Sequence, residues 1–162
     1  MTAIFRIHYI IIFFIILHLP LGMLLAIVYY MNFKEIYKYD KFANSLGIEL
    51  LEADKKVSTM TMKVGKQHLN GGSYAHGGVL FTLADITMGA LANEMKPISV
   101  SLQCSIRFLF PAFEGDVLTA KAELLQTHNK LTDCRATIHN ANGDLVAVAD
   151  GIFHLAKKAV FK

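Results

Sequence analysis

Hydrophobic and polar positions change rhythm several times along the chain, and each rhythm predicts an element. The first 31 residues have almost no polar beat: only Thr2, Arg6, His8, His18, Pro20 and Gly22 interrupt the apolar run. After them Phe33, Ile36, Tyr37, Phe42, Ala43 and Leu46 recur at roughly helical spacing, with Lys34, Glu35, Lys38 and Lys41 between them and Gly47 as a stop. That pattern predicts a short amphipathic helix. Gly47 to Ala53 and Val57 to Val64 are strand-like runs separated by Asp54-Lys55-Lys56, which reads as a hairpin. A loop rich in Asn, Gly and Ser follows, from Gln67 to Tyr74. Gly77 to Asn93 is too long for a strand and carries a single charge, Asp85, so it predicts a helix buried on nearly every side. From Ile98 to Phe110 every even position is apolar, and the odd ones are polar apart from Leu109. The period is two, which predicts a long half-buried strand. Val117 to Leu125, Leu131 to His139 and Leu145 to Leu155 continue as strands, the last pair turning through Asn142-Gly143. A buried helix followed by four strands predicts an α+β domain, its antiparallel sheet curled round the helix.

A chain of 162 residues holds one core and at most one appendage, here an apolar segment 1–31 ahead of a domain at 32–162. All 13 acidic residues and all the basic ones except Arg6 lie after Met31, so the domain is close to neutral and offers no electrostatic footprint for nucleic acid. Cys104 and Cys134 sit in alternating runs with no Cys or His at ligand spacing, which predicts buried free thiols in a reducing compartment and no metal site. From Tyr9 to Met31 the chain has no formal charge. As a helix this stretch would reach about 34 Å, enough to cross a hydrocarbon core of about 30 Å. Lys34, Lys38 and Lys41 would then hold the domain on the cytoplasmic side. The alternative is that Met31 is the true initiator and 1–30 an upstream extension; both readings give a cytoplasmic domain.

Asp85 is the candidate chemical group, because a carboxylate in an otherwise uncharged buried helix is costly without a partner or a purpose. His76-Gly77-Gly78 stands at the entry to the same helix, where unpaired N–H groups and the positive end of the helix dipole can receive a developing oxyanion. One helix thus offers an oxyanion site at its start and a carboxylate two turns on.

These residues resemble a known family. His68-Leu69-Asn70, His76-Gly77-Gly78 and Leu83-Ala84-Asp85 are similar to the H-x-N, HGG and LAD elements of the PaaI-like hotdog-fold acyl-CoA thioesterases, and Phe108-Leu109-Phe110-Pro111-Ala112 resembles that family's strand ending in Pro-Ala. The resemblance covers Phe33 to about Lys158 and implies a sheet wrapped round one long central helix. It further implies a homodimer or homotetramer with active sites between subunits, no cofactor, and coenzyme A entering as part of the substrate. Carried over by residue, Asp85 is the base or nucleophile toward the thioester, the Gly77 amide meets its oxygen, and Asn70 positions the carbonyl or the water. His76, Gly78 and Ser101 are secondary substrate-binding candidates. His76 also reads as a helix cap, His68 as loop packing, and Ser101 as lying on the polar face of its strand. Arg107, Lys130, Lys157 and Lys158 are candidates for the coenzyme A phosphates. The competing readings are a hotdog dehydratase, which needs an Asp and His pair, and a non-catalytic acyl-CoA-binding module, which has no use for Asp85.

Overall fold

The structure, a computed structural model, describes residues 37–95 and 98–156. The apolar segment 1–31, with its membrane-span and initiator readings, lies outside the described residues, as do Lys157 and Lys158. Among the described residues no helix is long and apolar enough to cross a membrane.

The amphipathic pattern before Gly47 does not run as one helix. It breaks at Asp40, whose Oδ1 accepts from Ala43 N at 2.9 Å and caps a new five-residue helix, α1 (Lys41–Ser45). That restart turns Phe42 outward, leaving it 62% exposed while Ala43 enters the core. Gly47, at φ +65°, ends α1: its N–H donates to Asn44 O and that of Ile48 to Ala43 O, the paired bonds of a Schellman stop. Strand β1 (Glu49–Ala53) then folds back on β2 (Val57–Lys63). The Asp54 carboxylate draws the turn closed by accepting from Lys56 N and Val57 N.

The long helix α2 (Gly77–Met95) is buried as its composition predicts; Gly78 is its one exposed residue. Strands β3 (Ser99–Phe108), β4 (Val117–His128), β5 (Leu131–Asn140) and β6 (Leu145–Leu155) follow it. All six strands join one antiparallel sheet in the order β1-β2-β4-β5-β6-β3. The core lies between this sheet and α2. Leu83, Met88 and Leu91 from the helix meet Met60, Met62, Leu118, Ile138 and Val146 from the strands, all of them essentially inaccessible. This is the α+β hotdog architecture that the sequence predicts.

One strand departs from its pattern. The alternation from Ile98 to Phe110 predicts that Val100 and Leu102 share a buried face with Cys104 and Ile106, but the register of β3 against β6 slips between Ser101 and Gln103. This β-bulge at Leu102 inverts the faces of the strand. Ser101 stands opposite Phe153, and Cys104 and Ile106 opposite Gly151 and Ala149, all three partners being buried. Val100 stands opposite His154 on the other face and is 43% exposed; Leu102 is 62% exposed. Ser101, assigned by its odd position to the polar face, therefore points to the helix side.

The cysteines are free thiols, and the pairing explains why. Cys104 on β3 and Cys134 on β5 stand opposite the same residue, Gly151 of the intervening β6. Two strand spacings separate them, about 9.6 Å, beyond the reach of a disulfide. Burial pushes the Cys104 thiol up to about 11 and that of Cys134 to about 12.

Candidate active site

The segment leading into α2 is braced by its own polar groups. His68 is buried; its Nδ1 accepts from Gly65 N at 3.0 Å, and its carbonyl accepts from His76 N at 2.7 Å. It therefore ties both ends of the loop together. At the tip, exposed Asn70 turns its Oδ1 inward to accept from Gly72 N at 2.8 Å and Tyr74 N at 3.3 Å. His76 is the cap: its Nδ1 accepts from Gly78 N at 2.9 Å, so the Gly78 amide is already committed. The Gly77 N–H has no partner among the described residues and stands at the positive end of the 19-residue helix. A side chain at 77 would crowd the Phe108 ring, since a Cβ there would lie 3.0 Å from its Cζ and the ring would have to give way.

Asp85 lies two turns down α2. Its Oδ1 is buried and accepts no hydrogen bond. Burial holds the carboxyl above its ordinary value, and the Ser101 side chain, brought to this face by the bulge, offsets part of the rise by favouring the ionised form. The two residues open onto a cleft of about 500 Å³. It is lined by Phe81, Thr82, Ile86 and Gly89 of α2 beside Asp85, by the start of β3 and Phe153, and by Asp40 and Phe42 of the α1 segment.

The structure thus brings Asp85 and Ser101 together, and separately gathers Asn70, His76, Gly77 and Gly78 at the helix entry. Eight residues of helix separate the two groups, about 12 Å at 1.5 Å per residue. Of the basic candidates, Arg107 is engaged with Asp150 at 3.4 Å, the same carboxylate that Arg135 holds at 2.7 Å, while Lys130 lies in the β4–β5 turn. Sequence reasoning missed Asp40 and Phe42 as cleft residues. The signal available was Asp40 itself, a good cap residue inside what looked like one continuous helix.

Comparisons with known proteins identify the family. The family model described as the thioesterase superfamily matches residues 68–147, which include both groups of site residues. The Escherichia coli acyl-coenzyme A thioesterase PaaI is 40% identical over 93 residues, 57% of this chain and 66% of that protein. Human acyl-coenzyme A thioesterase 13 is 31% identical over 126 residues, 75% of this chain and 90% of its own. The solved structure of Escherichia coli PaaI superposes with a TM-score of 0.75 at 32% identity, covering 83% of this chain and 98% of that one. A Streptococcus pneumoniae thioesterase protein solved with coenzyme A gives 0.71 at 28% identity, covering 75% and 95%. With its helix-entry HGG, its helical Asp85 and its sheet wound round α2, the chain belongs to the PaaI-like hotdog branch of the thioesterase superfamily.

Proposed function

We propose that this protein hydrolyses acyl-CoA thioesters at a site completed by two copies of the chain, Asp85 from one and the Asn70–Gly77 segment from the other. The observation that carries the reading is the Asp85 carboxyl, with a buried Oδ1 that accepts no hydrogen bond and a cleft in front of it. A desolvated carboxylate with a spare lone pair is a competent general base. It takes a proton from water as the water oxygen bonds to the thioester carbon. Negative charge grows on the carbonyl oxygen, where the Gly77 amide and helix dipole receive it. The C–S bond then breaks, and the departing thiolate takes from Asp85 the proton that came from water, giving free acid and thiol. Because the Asn70 Oδ1 is used by its own loop, its Nδ2 is the group left to donate to the substrate.

The shared site follows from distance. Base and oxyanion donor must both come within about 3–3.5 Å of the reacting group, which two points about 12 Å apart on one helix cannot do. A two-fold axis removes the conflict and creates two equal sites. Edge strand β3 and the exposed apolar Tyr74, Leu109, Phe110 and Phe113 near the helix entry offer surface for such pairing. The relatives named as acyl-CoA thioesterases support the substrate class. A dehydratase is less well served: His76 is spent on capping α2, nine residues from Asp85.

The test is Asp85→Asn, assayed on a panel of aryl, short-chain and long-chain acyl-CoAs. Loss of about 10²–10⁴ in kcat with the fold retained is expected. Activity within a few-fold of the parent would overturn the assignment.

A further inference from the structure

The cleft beside Asp85 has a wall that comes from outside the helix and sheet carrying the site residues. Phe81, Asp85 and Gly89 follow one another at four-residue intervals and lie on one face of α2. Gly89 contributes no side chain, so beyond Asp85 the helix surface is open, and a Cβ there would only touch the Phe153 ring at 3.5 Å. Phe42 and Asp40 line the same cleft. Phe42 is 62% exposed and lines the cleft instead of entering the core, a placement fixed by the restart of α1 at Asp40. Asp40 keeps its carboxylate at the rim by accepting from Ala43 N. None of the described residues lining the cleft is cationic, whereas two, Asp40 and Asp85, are acidic.

We propose that the α1 segment is the selecting wall of the acyl pocket, Phe42 setting the length of chain it admits and Asp40 turning away acyl groups that end in a carboxylate. The assignment of the acyl group to this cleft rests on Asp85 being the group that works on the thioester. The preferred substrate is a neutral acyl chain. Each methylene that finds cover between Gly89, Phe153 and Phe42 raises apparent affinity about fourfold. The gain stops where the chain meets the Phe42 ring. A terminal carboxylate entering the same space meets the Asp40 charge with no cation among the described lining residues to balance it, a penalty of about tenfold for like charges at a partly exposed site.

The experiment uses the full chain and two readouts. The first is kcat/KM over saturated acyl-CoAs from butyryl to palmitoyl, and for the six-carbon pair hexanoyl-CoA and adipyl-CoA. The second is Kd for the thioether analogues of the same series, which bind without turning over. In the parent kcat/KM rises and Kd falls with chain length to a break, and adipyl has a kcat/KM well below, and a Kd well above, those of hexanoyl. Phe42→Ala should move the break to longer chains and Phe42→Trp to shorter ones; the outward position of Phe42 leaves the fold of either variant intact. Asp40→Asn keeps a capping oxygen and removes the charge, so the adipyl to hexanoyl ratio should rise about tenfold with the break unmoved. A break indifferent to residue 42, or a ratio indifferent to residue 40, overturns the corresponding half of the proposal. The Kd series also separates this inference from the catalytic one. A break that moves in Kd while no variant or parent turns over removes Asp85 as base and keeps the wall; turnover that responds to Asp85 but not to residues 40 and 42 does the reverse.

Discussion

A carboxylate held above its ordinary value by burial and partly restored by one hydroxyl makes Asp85 tunable from its neighbour. The acid limb of kcat/KM should follow the ionisation of Asp85, activity falling as pH drops through its raised pKa. Ser101→Ala removes the interaction that favours the ionised form, so the limb should move to higher pH. A pH profile in which it stays put or moves down would separate Ser101 from Asp85. The same burial has a stability consequence whose sign is fixed. Because the folded-state value lies above the unfolded one near 3.8, the folded chain binds the proton more tightly between the two values. Stability therefore falls as pH rises through that window, and the deficit persists at neutral pH. Asp85→Asn should accordingly raise Tm at pH 7 by about 2–4 °C, with the gain shrinking toward acid, as scanning calorimetry would show. A variant that loses activity and gains stability is what a group kept for chemistry predicts; a structural carboxylate would lose both.

Elements were legible where one period ran unbroken, and hidden where a local device interrupted it. The helix around Asp85 declared itself by length and lack of charge, and β4 to β6 by alternation between turn signals. The bulge at Leu102 left no mark, because apolar and polar residues go on alternating through it; the register slip is imposed by pairing with β6, and only then do Ser101 and Asp85 face each other. The break at Asp40 was equally hidden, since the apolar positions on either side keep helical spacing while the cap starts a new turn. Asp85 itself stood out as a charge where none belonged, whereas Asp40 and Phe42 reach the cleft from a segment some forty residues earlier, a juxtaposition that no local pattern records. At the entry of α2 the element makes its own prediction. Phe108 of β3 closes on Gly77 so tightly that an added Cβ would sit 3.0 Å from its ring. Gly77→Ala, favourable for helix propensity, should leave Tm within a few degrees of the parent but displace the ring and crowd the amide, cutting kcat/KM at least tenfold. Unchanged turnover would mean that this amide meets no oxyanion.

At the scale of the whole molecule the question is how many chains make a site. Mixing Asp85→Asn with Asn70→Asp, which preserves the loop acceptor but removes the Nδ2 donor, gives two inactive parents. After subunit exchange about half the dimers are mixed, each with one intact site of two, so about a quarter of parental activity should return. A mixture as inactive as its parents would place each site within one chain. The pair of thiols beside Gly151 bears on how such a molecule opens. Cys104 belongs to the edge strand and is half-buried, Cys134 is buried in the interior, and burial raises both thiols, to about 11 and about 12, which slows their reaction while the sheet is closed. Their alkylation rates are consequently two clocks built into strands on either side of β6. If Cys104 is labelled far faster than Cys134, the edge of the sheet peels away on its own; equal rates mean that it opens only when the whole sheet lets go.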